Sequence, residues 1–104
     1  MTSEFVHLHN HSDYSLLDGA QRIDQLVNTI DDLNMDAVAL TEHGNMFSVL
    51  PYYKQAKKAG IKPIIGCEIY VAVGSRFEKK PRANGGWGNN HLILLAQNFK
   101  GYRN

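Results

Sequence analysis

Apolar and polar positions follow two periods along this chain. Phe5, Val6, His7, Leu8 and His9 carry aromatic and β-branched character with a period of two, which predicts a strand over residues 4–10. Ile23, Leu26, Val27, Ile30 and Leu33 recur at helical spacing after the polar, turn-rich stretch Ser12 to Gly19, which predicts an amphipathic helix over residues 21–34. The short apolar run Asp36-Ala37-Val38-Ala39-Leu40 stops at Thr41-Glu42-His43-Gly44-Asn45 and reads as a second, buried strand ending in a turn.

Residues 46–59 end in Lys54-Gln55-Ala56-Lys57-Lys58-Ala59 before Gly60, the cationic last turn and closing glycine of a helix. Proline is accepted only in a first turn, so the regular helix is expected to begin near Leu50 or Pro51, a kinked longer helix being the alternative. Ile64-Ile65 and Ile69-Tyr70-Val71-Ala72-Val73 supply a third strand, interrupted at Gly66, and His91-Leu92-Ile93-Leu94-Leu95-Ala96 a fourth. Between them, Gly74 to Asn90 holds Gly85, Gly86 and Gly88 with Arg76, Lys79, Lys80 and Arg82, and is expected to be an exposed, mobile loop. The order strand, helix, strand, helix, strand is that of parallel βαβ units with right-handed crossovers, so the fold class is α/β.

Length changes this picture little: 104 residues make one domain or a piece of one, with no second domain. A net charge of +1 excludes a strongly basic module that binds nucleic acid by neutralising many phosphates. Cys67, the one cysteine, forms no internal disulfide, and neither a signal peptide nor a bilayer-length apolar run is present, so the expected compartment is the cytoplasm, away from membranes.

The candidate chemistry lies in the histidines. His7, His9 and His11 alternate, and strand positions i and i+2 project from one face about 6.6–6.8 Å apart, so a His-x-His pair at a strand end can offer two imidazoles to one ion. Exposed edge histidines are the alternative. His9, His11, His43 and Glu68 all fall at or near the carboxyl ends of predicted strands, where ligands gather in parallel α/β folds. Asp18, beside Gly19, either reaches the same rim or complements the dipole at the start of the following helix. Glu68 sits in an apolar run, where an unpaired carboxylate is costly, so it needs a cation. His91 is either a further ligand or a loop histidine, and Cys67 points away from Glu68 as a small hydrophobe.

Imidazoles and carboxylates without a thiolate suit zinc, manganese or iron, and two or more such ions suit phosphoester hydrolysis. No phosphate-binding Gly-x-x-x-x-Gly-Lys-Ser/Thr loop and no dinucleotide-binding glycine pattern is present, which removes P-loop and nicotinamide chemistry. Tyr52, Tyr53 and Trp87 are aromatic groups for either base stacking or ordinary packing.

Four blocks in order carry a family resemblance. His7-Leu8-His9-Asn10-His11-Ser12-Asp13-Tyr14-Ser15-Leu16-Leu17-Asp18-Gly19-Ala20 resembles the opening motif of a PHP (polymerase and histidinol phosphatase) domain, in the form carried by bacterial DNA polymerase III alpha subunits. Thr41-Glu42-His43-Gly44-Asn45-Met46 resembles the second motif, and Gly60-Ile61-Lys62-Pro63-Ile64-Ile65-Gly66-Cys67-Glu68-Ile69-Tyr70-Val71 the third. His91 to Asn98 and Gly101 to Asn104 are similar to the next segments of that branch.

The resemblance implies the first part of a distorted β/α (TIM-like) barrel, incomplete in this chain, with residues 1–104 as the N-terminal portion of the domain. It places His9, His11, Asp18, His43, Glu68 and His91 at metal-site positions of a centre of two or three divalent ions, zinc, manganese or iron. His7 and Glu42 are implied to support those ligands rather than bind; Glu42 stands in place of a more usual aspartate, and Pro51 falls within the family's second helix. An Asp-x-His pair that completes the family's site, and the palm aspartates that polymerise DNA, lie outside this sequence. The implied role is therefore part of a DNA-directed DNA polymerase, with a metal-dependent 3′–5′ exonuclease site or a structural one. The implied partners are DNA reached through the full-length polymerase, other replisome subunits, and the remaining PHP and polymerase domains. A stand-alone phosphoesterase resembling histidinol phosphatase and a non-catalytic module are the alternatives. As the opening of a barrel, the piece is expected to expose apolar surface where later strands would pair.

Overall fold

A computed structural model describes residues 4–79 and 88–104 of the chain. Its elements are α1 (Ile23–Asp32), β1 (Ala37–His43), α2 (Val49–Lys58), β2 (Lys62–Val71), β3 (Asn90–Leu95) and α3 (Phe99–Arg103). One sheet has the order β1-β2-β3. β1 and β2 are parallel, with Leu40 opposite Ile65 and His43 opposite Glu68, as the predicted βαβ unit requires. β3, the predicted fourth strand, which follows a loop rather than a helix, runs antiparallel to β2, pairing His91 with Tyr70.

Successive strand residues face opposite sides. Val38 and Leu40 of β1 pack with Ile23, Leu26, Val27 and Ile30 of α1, Tyr52 and Ala56 of α2, and Ile61, to form the core. Each fully buried aliphatic side chain there contributes about 1.5–3 kcal/mol relative to exposure. Tyr52 is therefore core rather than a base-stacking surface: it is wholly buried, and its hydroxyl donates to the Val38 carbonyl. Burial pushes its phenol up to about 12, against a smaller downward pull from the Ile64 backbone. Tyr53 is exposed, and Trp87 lies outside the described residues.

Helix ends reflect local chemistry. α1 stops where Asn34 adopts φ +55°, letting the amides of Asn34 and Met35 bond back to Asp31 and Ile30 at 2.9 and 3.0 Å. Pro51 sits in the first turn of α2, where its missing amide breaks no helical bond, so α2 begins at Val49 without a kink. α3, which no periodicity announces, is capped by the Asn98 side chain accepting from the Gly101 amide at 3.0 Å.

Two expectations need correction. β2 runs unbroken through Gly66, because that glycine answers crowding from both neighbours: a Cβ there would lie 2.5 Å from the Leu94 oxygen and 2.9 Å from Thr41 Cγ2. Residues 4–10 are extended beside β1 but form no regular strand. The His7 carbonyl accepts from Ala39 and the Asn10 carbonyl from Thr41, so three residues pass on one side for two on the other. The Asn10 side-chain amide takes the Ala39 carbonyl at 3.0 Å, which a regular parallel ladder would give to a backbone amide. Of the predicted loop 74–90, residues 74–79 and 88–90 are exposed, and the remainder lies outside the described residues.

Among the described residues β3 has a strand partner on one side only, and Leu92, Leu94 and Leu95 stay 40–48% exposed. No helix among the described residues is long and apolar enough to cross a membrane.

Candidate metal centre

The sheet register builds one polar face. β1 ends on His43, and the parallel pairing sets it beside Glu68 of β2. Antiparallel pairing brings His91, near the start of β3, opposite Tyr70 on the same face. The extended segment beside β1 delivers His9 and His11, and the turns after it deliver Asp18. Those turns are fixed by bonds from Ser15 to Ser12 and from Asp18 and Gly19 to Ser15, at 2.9–3.0 Å. Gly19 is required there, since a Cβ would run into the Ser12 carbonyl oxygen.

Glu68, 6% exposed, is the hub. Its Oε1 lies 3.1 Å from His91 Nδ1 and 3.6 Å from His9 Nε2; its Oε2 lies 2.6 Å from His11 Nε2 and 3.1 Å from His43 Nδ1. Asp18 Oδ2 bridges His11 Nδ1 at 2.8 Å and His43 Nδ1 at 3.0 Å. Burial alone raises the Glu68 carboxyl pKa, but the hydrogen bonds from His43 and His91 and the charges of His11 and His9 outweigh it and hold the group below the usual carboxylate range.

Ligand atoms of His11, Asp18, His43 and Glu68 all lie within 4.8 Å of one another, a spacing suited to a shared cation. His11 supplies the test of fit. Its Nε2 is buried and makes no hydrogen bond, although Glu68 Oε2 is 2.6 Å away. With Nδ1 facing Asp18, the short gap between Nε2 and Glu68 Oε2 is filled either by the proton of a charged imidazolium or, where the ring is neutral, by a metal ion set against the two facing lone pairs. The all-nitrogen-and-oxygen donor set fits a divalent transition ion.

All six residues predicted as ligands converge here. The two supporting residues do not join them. His7 is exposed, and its ring stands edge-on to Phe5 at 4.7 Å. Glu42 lies on the opposite, helix-facing side of β1, 1% exposed, and accepts from the Ser12 amide at 3.1 Å and from the hydroxyls of Ser12, Ser15 and Ser48. Ser15 in turn accepts from the His43 amide at 2.9 Å, so Glu42 reaches the centre through the turns that carry His11 and Asp18. Cys67 Sγ contacts the carbonyls of Glu42 and Asn45, outside the cluster. Two features escape a reading of the sequence. Tyr70, edge-on to His43 and His91, comes two residues after Glu68, and strand alternation is the signal that could have found it. The serine cage joins Glu42 to Ser12 and Ser15, 30 and 27 positions away, as well as to the nearer Ser48, and leaves no local trace.

The PHP domain family model matches residues 7–104. The chain belongs to the PHP domain family. Relatives named DNA polymerase III subunit alpha match it along nearly its whole length. That of Borreliella burgdorferi is 55% identical over 102 residues, covering 98% of this chain and 9% of its own. That of Treponema pallidum is 54% identical over 100 residues, covering 96% and 8%, and that of Mycobacterium tuberculosis 46% over 113 residues, covering 98% and 10%. This PHP chain thus spans about a tenth of the length of those relatives. An amidohydrolase structure from Chromobacterium violaceum, solved with bound sulfate and no metal, superposes with a TM-score of 0.64 at 22% identity, over 88% of this chain and 26% of that one. That likeness concerns the fold alone.

Proposed function

We propose that this chain is the N-terminal PHP portion of a bacterial replicative DNA polymerase III alpha subunit and holds part of a centre for phosphoester hydrolysis of the 3′–5′ exonuclease class. The observation that carries this reading is the convergence of His9, His11, Asp18, His43 and His91 on the buried Glu68 carboxylate. Its partners are DNA and the other replisome subunits in the cytoplasm, and the parent polypeptide extends DNA chains with a palm domain beyond these residues.

When bound, two or three divalent transition ions would supply an activated water and charge neutralisation at the phosphate. This chain's residues prepare the site. Glu68, His9, His11, His43, His91 and Asp18 would hold the ions. Asp18 fixes the His11 tautomer by accepting from Nδ1, which leaves Nε2 as the donor lone pair. Glu42 and its serines hold the turns that position His11 and Asp18, and His7 lies at the periphery.

Elemental analysis tests this reading directly. The full-length protein is expected to carry two or three transition ions, to lose them in His9→Ala and Glu68→Ala, and to trim single-stranded DNA from the 3′ end until a chelator is added. Unchanged metal content in both variants would overturn the ligand assignment. The 104-residue chain by itself is expected to hold metal weakly and hydrolyse little, and rapid turnover by it would contradict a site whose remaining ligands lie elsewhere in the parent polypeptide.

A further inference from the structure

Resting on the hydrolytic reading of the centre, we propose that Tyr70 is the residue that recognises the nucleoside attached to the reacting phosphate, by offering its ring as a stacking surface for the base. Tyr70 lies two residues after Glu68 on β2, on the same face, opposite His91 in the sheet register. Its ring is edge-on to His43, with centroids 5.1 Å apart and planes at 78°, and edge-on to His91 at 5.3 Å and 83°. The turn after β1 is shaped around it: Gly44 has φ +68°, and a Cβ there would lie 2.7 Å from Tyr70 Cε2.

The ring is therefore held by two imidazoles and a glycine turn, yet half of the residue, 50%, remains exposed at the mouth of the centre. A tyrosine placed to ligate would point its oxygen at the cluster; Tyr70 is outside the ligating group, and its hydroxyl has no hydrogen-bond partner among the described residues. What it offers is a half-exposed aromatic side chain beside the imidazoles. A phosphate drawn to the cluster carries its esterified nucleoside past this surface. Stacking on an aromatic ring is tolerant of base identity, because every base has a π-face, and that tolerance suits a site that must accept any DNA end.

The test uses the metal-loaded full-length protein and two ligands that share a phosphate but not a base: thymidine 5′-monophosphate and 2-deoxyribose 5-phosphate, with affinities read by calorimetry. Tyr70→Ala is expected to weaken the nucleotide about tenfold or more, the fold-change of one lost stacking contact, while leaving the sugar phosphate and the metal content unchanged. Tyr70→Phe and Tyr70→Trp are expected to retain nucleotide affinity. Equal weakening of both ligands, a fall in metal content, or no change in either affinity would overturn the assignment. If wild-type protein binds the two ligands equally well, the proposal for Tyr70 fails while the hydrolytic reading stands; if it binds metal but neither ligand, both fail.

Discussion

Glu42 and Glu68 are two nearly buried carboxylates on adjacent strands, and their surroundings differ in kind. The parallel register sets Glu42 opposite Cys67 and His43 opposite Glu68, so a one-residue offset sends the two acids to opposite faces of the sheet. On the helix-facing side, Glu42 meets the hydroxyls of Ser12, Ser15 and Ser48 and the Ser12 amide, donors that fill its acceptor sites and ask for nothing further. On the open side, Glu68 meets only imidazoles, and one of them keeps a buried nitrogen without a hydrogen bond. Burial of a carboxylate therefore does not identify a functional site. The donors around it do: satisfied hydroxyls make an anchor, and unsatisfied nitrogens make a place for a cation.

The sharpest way to break this contrast is to exchange the roles by mutation. Glu68→Gln keeps the side chain's shape and removes the charge at the hub, and is expected to weaken metal binding by more than about a thousandfold, beyond the 10–100-fold typical of losing a group that merely supports a ligand. Competition with a calibrated chelator measures it. Glu42→Ala should act the other way round. It strands the hydroxyls of Ser12, Ser15 and Ser48 and the Ser12 amide and opens a void, for a loss of about 3 kcal/mol in urea unfolding. Metal affinity should fall only about tenfold, through loosening of the turns that bear His11 and Asp18. If Glu42→Ala left stability within about 0.5 kcal/mol of wild type but abolished metal binding, the two carboxylates would belong to one centre and the distinction would collapse.

The same contrast explains which features are legible in the sequence. Helix α1, strand β1 and the six converging side chains come from periodicity, strand alternation and the motif order, since each depends on residues close in sequence or on a rim that every parallel α/β sheet provides. The segment before Ser12 departs from its expected strand because a single side chain, that of Asn10, takes over a ladder bond, and no periodicity records such a substitution. The direction of β3 depends on a connection whose composition does not encode its path. Glu42 stands apart from the histidine cluster, and its partners are invisible in the sequence: serines in turns are common, and nothing local says that three of them meet one carboxylate.

A smaller effect probes the helix-facing side alone. Tyr52 has a folded pKa of about 12 against an ordinary 10, because burial disfavours the phenolate. The folded state therefore keeps its full advantage below pH 10 and loses it as pH climbs toward 12, on the order of 2–3 kcal/mol over that window. Unfolding midpoints measured from pH 9 to 12 should show this decline, and Tyr52→Phe should remove its share of the decline while costing about 1 kcal/mol at neutral pH for the bond lost to the Val38 carbonyl. An identical alkaline slope in the variant would place the sensitivity elsewhere.

The smallest expected effect distinguishes an anchor from a helix cap. Ser48 occupies the N-cap position of α2 yet makes no side-chain cap bond; its hydroxyl donates to Glu42 Oε1 at 3.0 Å instead. Ser48→Ala should cost about 1 kcal/mol, the value of one hydrogen bond to a carboxylate that keeps its other donors. Loss of a capping serine costs a similar amount, so that number alone decides nothing. Ser48→Asp decides it. Aspartate is as good an N-cap as serine, and a capping role predicts near wild-type stability. An anchoring role predicts the opposite, since a second carboxylate would face Glu42 in a buried site with no cation, and the aspartate variant should be less stable than the alanine variant. In a Glu42→Gln background that order should reverse, because the repulsion then has no partner.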